Sequence, residues 1–192
     1  MSKKILIPLA QGFEEAEFIG IADICRRVNE VGGKLESVIA SLDSQLLVKG
    51  ANGITIQADT SLDKIQLNSF DAIALAGGLD GMKNLNSNAN IIQAIKQFHK
   101  EGKLVAAMCA SPIVLNTAGV IQGDFTCYPG CESGINGTRK DQAVVINGNV
   151  ITSAGPSTGM IFGLEIVRYL CGQDIYQALY NGTLMPLVKK YL

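Results

Sequence analysis

From Lys3 to Ala10 the chain is almost continuously apolar, with Ile5-Leu6-Ile7-Pro8-Leu9 at its centre. So short a run between polar residues predicts a strand covered on both faces. A polar turn, Gly12-Phe13-Glu14-Glu15, comes next. Phe18, Ile21, Cys25 and Val28 then recur at helical spacing, which predicts a helix to about Val31, ended by Gly32-Gly33. Leu35 to Ala40 alternates as a second strand. Residues 46–58 predict a hairpin, Leu46-Leu47-Val48 against Ile54-Thr55-Ile56, turning near Asn52-Gly53. Asp71 to Ala76 reads as a buried strand ending at Gly77-Gly78, followed by a helix over about 88–100 and a strand from Lys103 to Met108. Ser111-Pro112 opens a helix, with proline tolerated in its first turn. Val144-Val145-Ile146 and Val150-Ile151-Thr152 flank Asn147-Gly148, a strong hairpin signal. A long helix is expected after Gly155-Pro156-Ser157 to about Leu170, and then a short helical tail.

Alternating strands and helices imply an α/β fold with a mainly parallel sheet, the hairpins adding antiparallel strands at an edge. No repeat, linker or low-complexity stretch divides residues 1–192, so one domain is expected. The chain is 47% hydrophobic but has no tryptophan, so the core must be large and mainly aliphatic. Net charge is −1 with scattered basic residues, which leaves no electrostatic footprint for nucleic acid. No apolar run is long enough to span a bilayer, and the first apolar run is too short for a secretory leader. The expected setting is cytoplasmic. The five cysteines are odd in number and unevenly spaced, which argues against a disulfide framework. Cys127 and Cys131 form the only close pair, and the one histidine, His99, is far from them in sequence, so no metal site is expected.

The candidate chemistry centres on Cys109. The strand Lys103-Leu-Val-Ala-Ala-Met108 runs straight into a helix start with the cysteine at the junction, and ligands of open α/β sheets bind at the carboxyl ends of strands. Ala107 and Ser111, two residues either side, are small, as a tight nucleophile elbow requires. Amides at the helix start favour thiolate and lower a thiol pKa. Gly77-Gly78 closes a neighbouring strand, and the amides of Gly78 and Ala110 could form an oxyanion hole beside the sulfur. Glu14, Glu15 and Glu17 open the first helix. A helical wheel sets Glu14 and Glu17 near the apolar stripe and turns Glu15 away. A buried, protonated glutamic acid could donate to the thiolate or shuttle protons, and periodicity does not choose between Glu14 and Glu17. His99 sits at the edge of the stripe Ile91, Ile95, Phe98, a boundary position that supplies no Cys-His pair.

Ala10-Gln-Gly-Phe-Glu-Glu-Ala-Glu17, Asp71 to Gly78, Ala106-Ala-Met-Cys-Ala-Ser-Pro112 and Thr152-Ser-Ala-Gly-Pro156 together resemble the ThiJ/PfpI superfamily, most closely its Parkinson-disease-protein (DJ-one) branch. The resemblance spans nearly the whole chain. It implies a flavodoxin-like three-layer sandwich of the class I glutamine amidotransferase type, usually a homodimer, with no cofactor. It makes Cys109 the nucleophile and oxidation-sensitive thiol, and selects Glu17 as the carboxyl beside it. It gives Gly77, Gly78 and Ala110 the oxyanion or oxidised sulfur, and puts Arg27, Gly155 and Pro156 at the dimer interface or site periphery. Many relatives carry a histidine near the thiol. Here, in Phe125-Thr-Cys-Tyr-Pro129, Tyr128 fills that position, where it could hydrogen-bond a substrate, with Cys127 nearby as a possible resolving thiol.

Two readings follow. In one, the protein is a cofactor-independent glyoxalase or deglycase that adds Cys109 to a small 2-oxoaldehyde such as methylglyoxal, or acts on its adducts. In the other it is an oxidative-stress sensor and redox-regulated chaperone working through oxidation of Cys109. A cysteine hydrolase or peptidase is a weaker third, since the histidine is missing.

Overall fold

The computed structural model describes residues 2–191. The chain runs through β1 (Lys3–Leu9), α1 (Glu15–Arg27), β2 (Leu35–Ser41), β3 (Leu47–Lys49), β4 (Thr55–Gln57), β5 (Thr60–Ser61), β6 (Ala72–Leu75), α2 (Leu79–Ser87) and α3 (Ala89–Lys100). It continues through β7 (Leu104–Met108), α4 (Pro112–Thr117), β8 (Asp124–Phe125), β9 (Thr138–Arg139), β10 (Val144–Asn147), β11 (Val150–Ser153), α5 (Gly159–Cys171), α6 (Gln173–Gly182) and α7 (Met185–Tyr191). The central sheet has the order β10-β11-β7-β6-β1-β2-β5. Every pairing is parallel except β10 with β11.

Successive residues of a strand point to opposite faces, and this fixes the layers. Ile5, Ile7, Leu9, Ala106 and Met108 enter one core with α1, α5 and α6. Leu6, Ile73, Leu75, Val105 and Ala107 enter the other with α2, α3 and α4. A sheet covered on both sides explains why its strands read as unbroken apolar runs rather than alternating ones. Helices α1 and α5 lie in unusually close contact: a Cβ on Gly20 would fall 2.6 Å from the carbonyl carbon of Gly159. That contact sets the depth at which α1 carries its first-turn acids.

The structure departs from the sequence reading in several places, among them the short strands β5, β8 and β9, which the sequence did not lead us to expect. The β3–β4 hairpin is not an edge addition but a separate two-stranded sheet, with Val48 opposite Ile56. Its turn is pinned over α1 instead, through Gly12 N–H to Lys49 O (2.8 Å) and Ala51 N–H to Phe13 O (2.8 Å). Glu15, which the wheel turns away from the apolar stripe, is nonetheless buried, because this turn covers it. Glu15 Oε1 accepts from the amides of Asn52 and Ile54. Residues Val28–Val31 tighten into a 3-10 turn. Helix α2 was not expected from the sequence.

Candidate active site

The site lies at the carboxyl ends of β6 and β7, where the chain leaves the sheet. Cys109, between β7 and α4, takes φ +60, a left-handed conformation rare for a residue with a side chain. Both of its peptide groups are tied: its N–H donates to Ser153 O (2.9 Å), and its carbonyl accepts from Tyr128 N–H (3.0 Å). Beneath it, Ser111 Oγ donates to Ala76 O at 2.6 Å, locking the start of α4 to the end of β6. The strained turn is thus held from three directions, and the half-buried sulfur faces an open pocket.

Glu17 reaches this sulfur from α1. It is fully buried, and its Oε2 accepts from Gly77 N–H at 2.7 Å. Among the described residues, Oε1 has no hydrogen-bond partner, and the Cys109 thiol lies close enough to interact with the carboxyl. Gly77 marks how closely the pair is packed: a Cβ there would lie 2.6 Å from Cys109 Cβ and 2.7 Å from Glu17 Oε2. Glu14 has a different task. Its carboxylate caps α1 by accepting from Glu17 N–H (2.8 Å), and it lines the pocket wall. The choice that periodicity left open is therefore made by depth along α1.

Burial raises the Glu17 carboxyl to about 7, helped by the nearby charge of Glu14 and opposed by the thiol and the Gly77 amide. Burial also pushes the Cys109 thiol up, and an ionised Glu17 pushes it further. The amides of Gly78 and Ala110 pull it down. The expected thiolate, favoured by helix-start amides and a neutral carboxyl, is thus opposed first by burial and then by Glu17 whenever it is ionised. The two groups are coupled: an ionised Glu17 disfavours the Cys109 thiolate, and a neutral Glu17 removes that opposition while the cost of burial remains.

The pocket, of about 320 Å³, is lined by Glu14, Gly78, Leu79, Cys109, Ala110, Tyr128, Cys131 and Pro156. The structure thus brings together Cys109, Glu17, Gly77, Gly78, Ala110, Tyr128 and Pro156. Gly155 lies just behind, against the Tyr128 ring. Arg27 is elsewhere, at the far end of α1 and paired with Asp23 (2.7 Å). His99 sits near the entry to β7, where Asn149 Nδ2 bridges His99 O and Lys103 O, at the end of that strand opposite Cys109. Cys127 is buried in the core rather than in the pocket. Sequence reasoning missed Leu79 and Cys131. The signal for Cys131 was present in Tyr128-Pro129-Gly130-Cys131, a Pro-Gly turn that folds residue 131 back on residue 128. Among the described residues, no group of three or more His, Cys, Asp or Glu side chains could hold a metal ion.

Residues 3–169 match the DJ-1/PfpI family. The chain belongs to that family. It is similar to the DJ-1beta protein of Drosophila melanogaster, with 35% identity covering 96% of this chain and 98% of that one. It is also similar to a Schizosaccharomyces pombe protein named glutathione-independent glyoxalase DJ-1, with 30% identity over 95% of this chain and 99% of that one. Among solved structures, Drosophila DJ-1beta superposes with a TM-score of 0.89, covering 96% of this chain and 98% of that one. Oxidised Toxoplasma gondii DJ-1 superposes at 0.84 with 28% identity, covering 95% of this chain and 98% of that one. The flavodoxin-like α/β sandwich is thus a DJ-1/PfpI fold, as the resemblance implied.

Proposed function

We propose that this DJ-1/PfpI protein is a cofactor-independent glyoxalase acting on small 2-oxoaldehydes. The observation that carries the proposal is the buried Glu17 carboxyl, titrating about 7, packed against a half-buried cysteine at the mouth of an open pocket. Glu17 accepts the thiol proton as sulfur adds to the aldehyde carbon, and passes it to the new alkoxide, which the Gly78 and Ala110 amides steady. The freed carboxylate then removes the hydrogen from that carbon and returns it to the neighbouring carbon. The hydroxyl proton moves to the adjacent oxygen, leaving the thioester of a 2-hydroxy acid. Water cleaves the thioester and regenerates the thiol. A carboxyl titrating near neutrality suits both directions of transfer. Early carbonyl adducts on amines or thiols would use the same chemistry. The S. pombe relative named a glyoxalase supports the reading.

The test is incubation with methylglyoxal without glutathione and a chiral assay for lactate. Wild type should form lactate and Cys109→Ala should not. Equal lactate from both proteins ends the proposal.

A second reading, oxidation sensing, draws on the same amides and carboxyl, which would hold an oxidised Cys109 sulfur. It fails if mild peroxide leaves Cys109 unmodified while other thiols oxidise. We further propose that the chain works as a single domain and as a homodimer. The candidate contact is the α1–α5 groove lined by Ala16, Ile19, Gly20, Asp23 and Met160, where Ile19 and Met160 are exposed. A sedimentation mass of one chain would refute the dimer. A reducing cytoplasmic setting suits the five free cysteines.

A further inference from the structure

The pocket that holds Cys109 contains a second thiol that the proposed reaction does not use. Cys131 lines the same wall, partly exposed, on a turn that hangs directly from the nucleophile. The carbonyl of Cys109 accepts from Tyr128 N–H (3.0 Å), and the carbonyl of Tyr128 accepts from Cys131 N–H (2.9 Å). Two hydrogen bonds thus tether one cysteine's backbone to the other's. Glu17 is near enough to both thiols that its charge disfavours ionisation of each. Cys127 is a neighbour of Cys131 too, but its sulfur is buried in the core, 4.0 Å from Glu132 Oε2, and does not line the pocket.

We propose that Cys131 is the resolving thiol of an oxidised Cys109, so that the pocket closes a reversible Cys109–Cys131 disulfide. The proposal rests on Cys109 being the pocket's reactive thiol. A hydroperoxide oxidises Cys109 to sulfenic acid and is itself reduced to an alcohol or water. Cys131 sulfur then attacks the Cys109 sulfur and the S–O bond breaks. The hydroxyl leaves as water, carrying the proton from Cys131. An external dithiol returns both cysteines to thiols. The bond requires Cα atoms about 4.4–6.8 Å apart. Gly130, at φ +93, has open space around it, and closing the bond requires the turn to give up hydrogen bonds such as Gly130 N–H to Glu132 Oε2 (2.7 Å). Burial, Glu132 and Glu17 all disfavour ionisation of Cys131. A second peroxide that reaches the sulfenic acid before Cys131 attacks carries Cys109 on to sulfinate.

The test is non-reducing peptide mass mapping after one equivalent of hydrogen peroxide and again after a large excess. At one equivalent, wild type should yield a linked Cys109–Cys131 peptide that dithiothreitol separates, and at excess a growing share of Cys109 sulfinate. Cys131→Ser should give no linkage, with Cys109 as sulfenic acid at one equivalent and sulfinate at excess, whereas Cys127→Ser should keep the linkage. A wild type whose Cys109 is oxidised to sulfenic or sulfinic acid with Cys131 still a free thiol at one equivalent overturns the proposal, as does linkage to Cys127 or no oxidation of Cys109. The mass readout needs no turnover, so absence of lactate from methylglyoxal would defeat the glyoxalase reading and leave this one standing.

Discussion

Replacing Glu17 with glutamine probes the site through folding stability, independently of any substrate. In the folded protein the Glu17 proton is held to about 7 against an ordinary 4.5, chiefly because the side chain is buried. Between those pH values the unfolded chain has released the proton and the folded chain has not. Ionisation therefore favours unfolding, and stability falls as pH rises through this window. At about 1.4 kcal/mol per pH unit, the contribution comes to about 3 kcal/mol, complete below 4.5 and lost above about 7. Glutamine has no proton to lose, and its carbonyl can still accept from Gly77 N–H. Glu17→Gln should match wild type near pH 4 and exceed it by about 3 kcal/mol near pH 8. Urea unfolding across this range, at one fixed protein concentration so that any association cancels, measures both curves. A stability difference constant with pH, or a wild type that gains stability as pH rises, refutes the account of the buried carboxyl.

Other perturbations follow from the same geometry. Glu17→Gln also removes the charge that opposes thiolate formation, so alkylation of Cys109 by iodoacetamide near pH 8.5 should be faster than in wild type. Gly77→Ala forces a methyl between Cys109 and Glu17, and should lower lactate formation about 100-fold with a stability loss of about 1–3 kcal/mol, read by kcat/KM and urea unfolding. Ser111→Ala leaves the Ala76 carbonyl without its buried donor and should cost about 1–3 kcal/mol in the same unfolding assay. Gly20→Ala presses a side chain onto the backbone of α5 and should lower thermal stability by several degrees, measured by the circular dichroism melt.

The sheet was legible because doubly covered strands leave runs such as Ile5 to Leu9 and Leu104 to Met108, and the Asn147-Gly148 turn named its hairpin. Helix α2 was not legible: Leu79–Ser87 carries Gly81 and two asparagines, and its helical state depends on packing Met82 and Leu85 against the core. The fate of the β3–β4 hairpin was equally hidden, since it is settled by contacts with Glu15 and Phe13 that are distant in sequence. At the site, Cys109 was visible from a strand-to-helix junction flanked by small residues. The pairing with Glu17 needed the three-dimensional meeting of α1 with Gly77. What opposes ionisation of the thiol could not be read from its own helix start, because it comes from burial in the folded chain and from the charge of Glu17 on another element.

Cys109 keeps its left-handed backbone only while Ser153, at the end of β11, and Tyr128 hold its two peptide groups. Such a conformation costs about 1–3 kcal/mol and persists only while its surroundings impose it. Once β11 or the 126–128 segment lifts away, the cysteine relaxes and its sulfur leaves the Gly78 and Ala110 amides. Native reactivity at this one atom therefore reports whether β11 stays docked against β7, and a thiol-directed dye becomes a gauge of local fraying well before the whole chain melts.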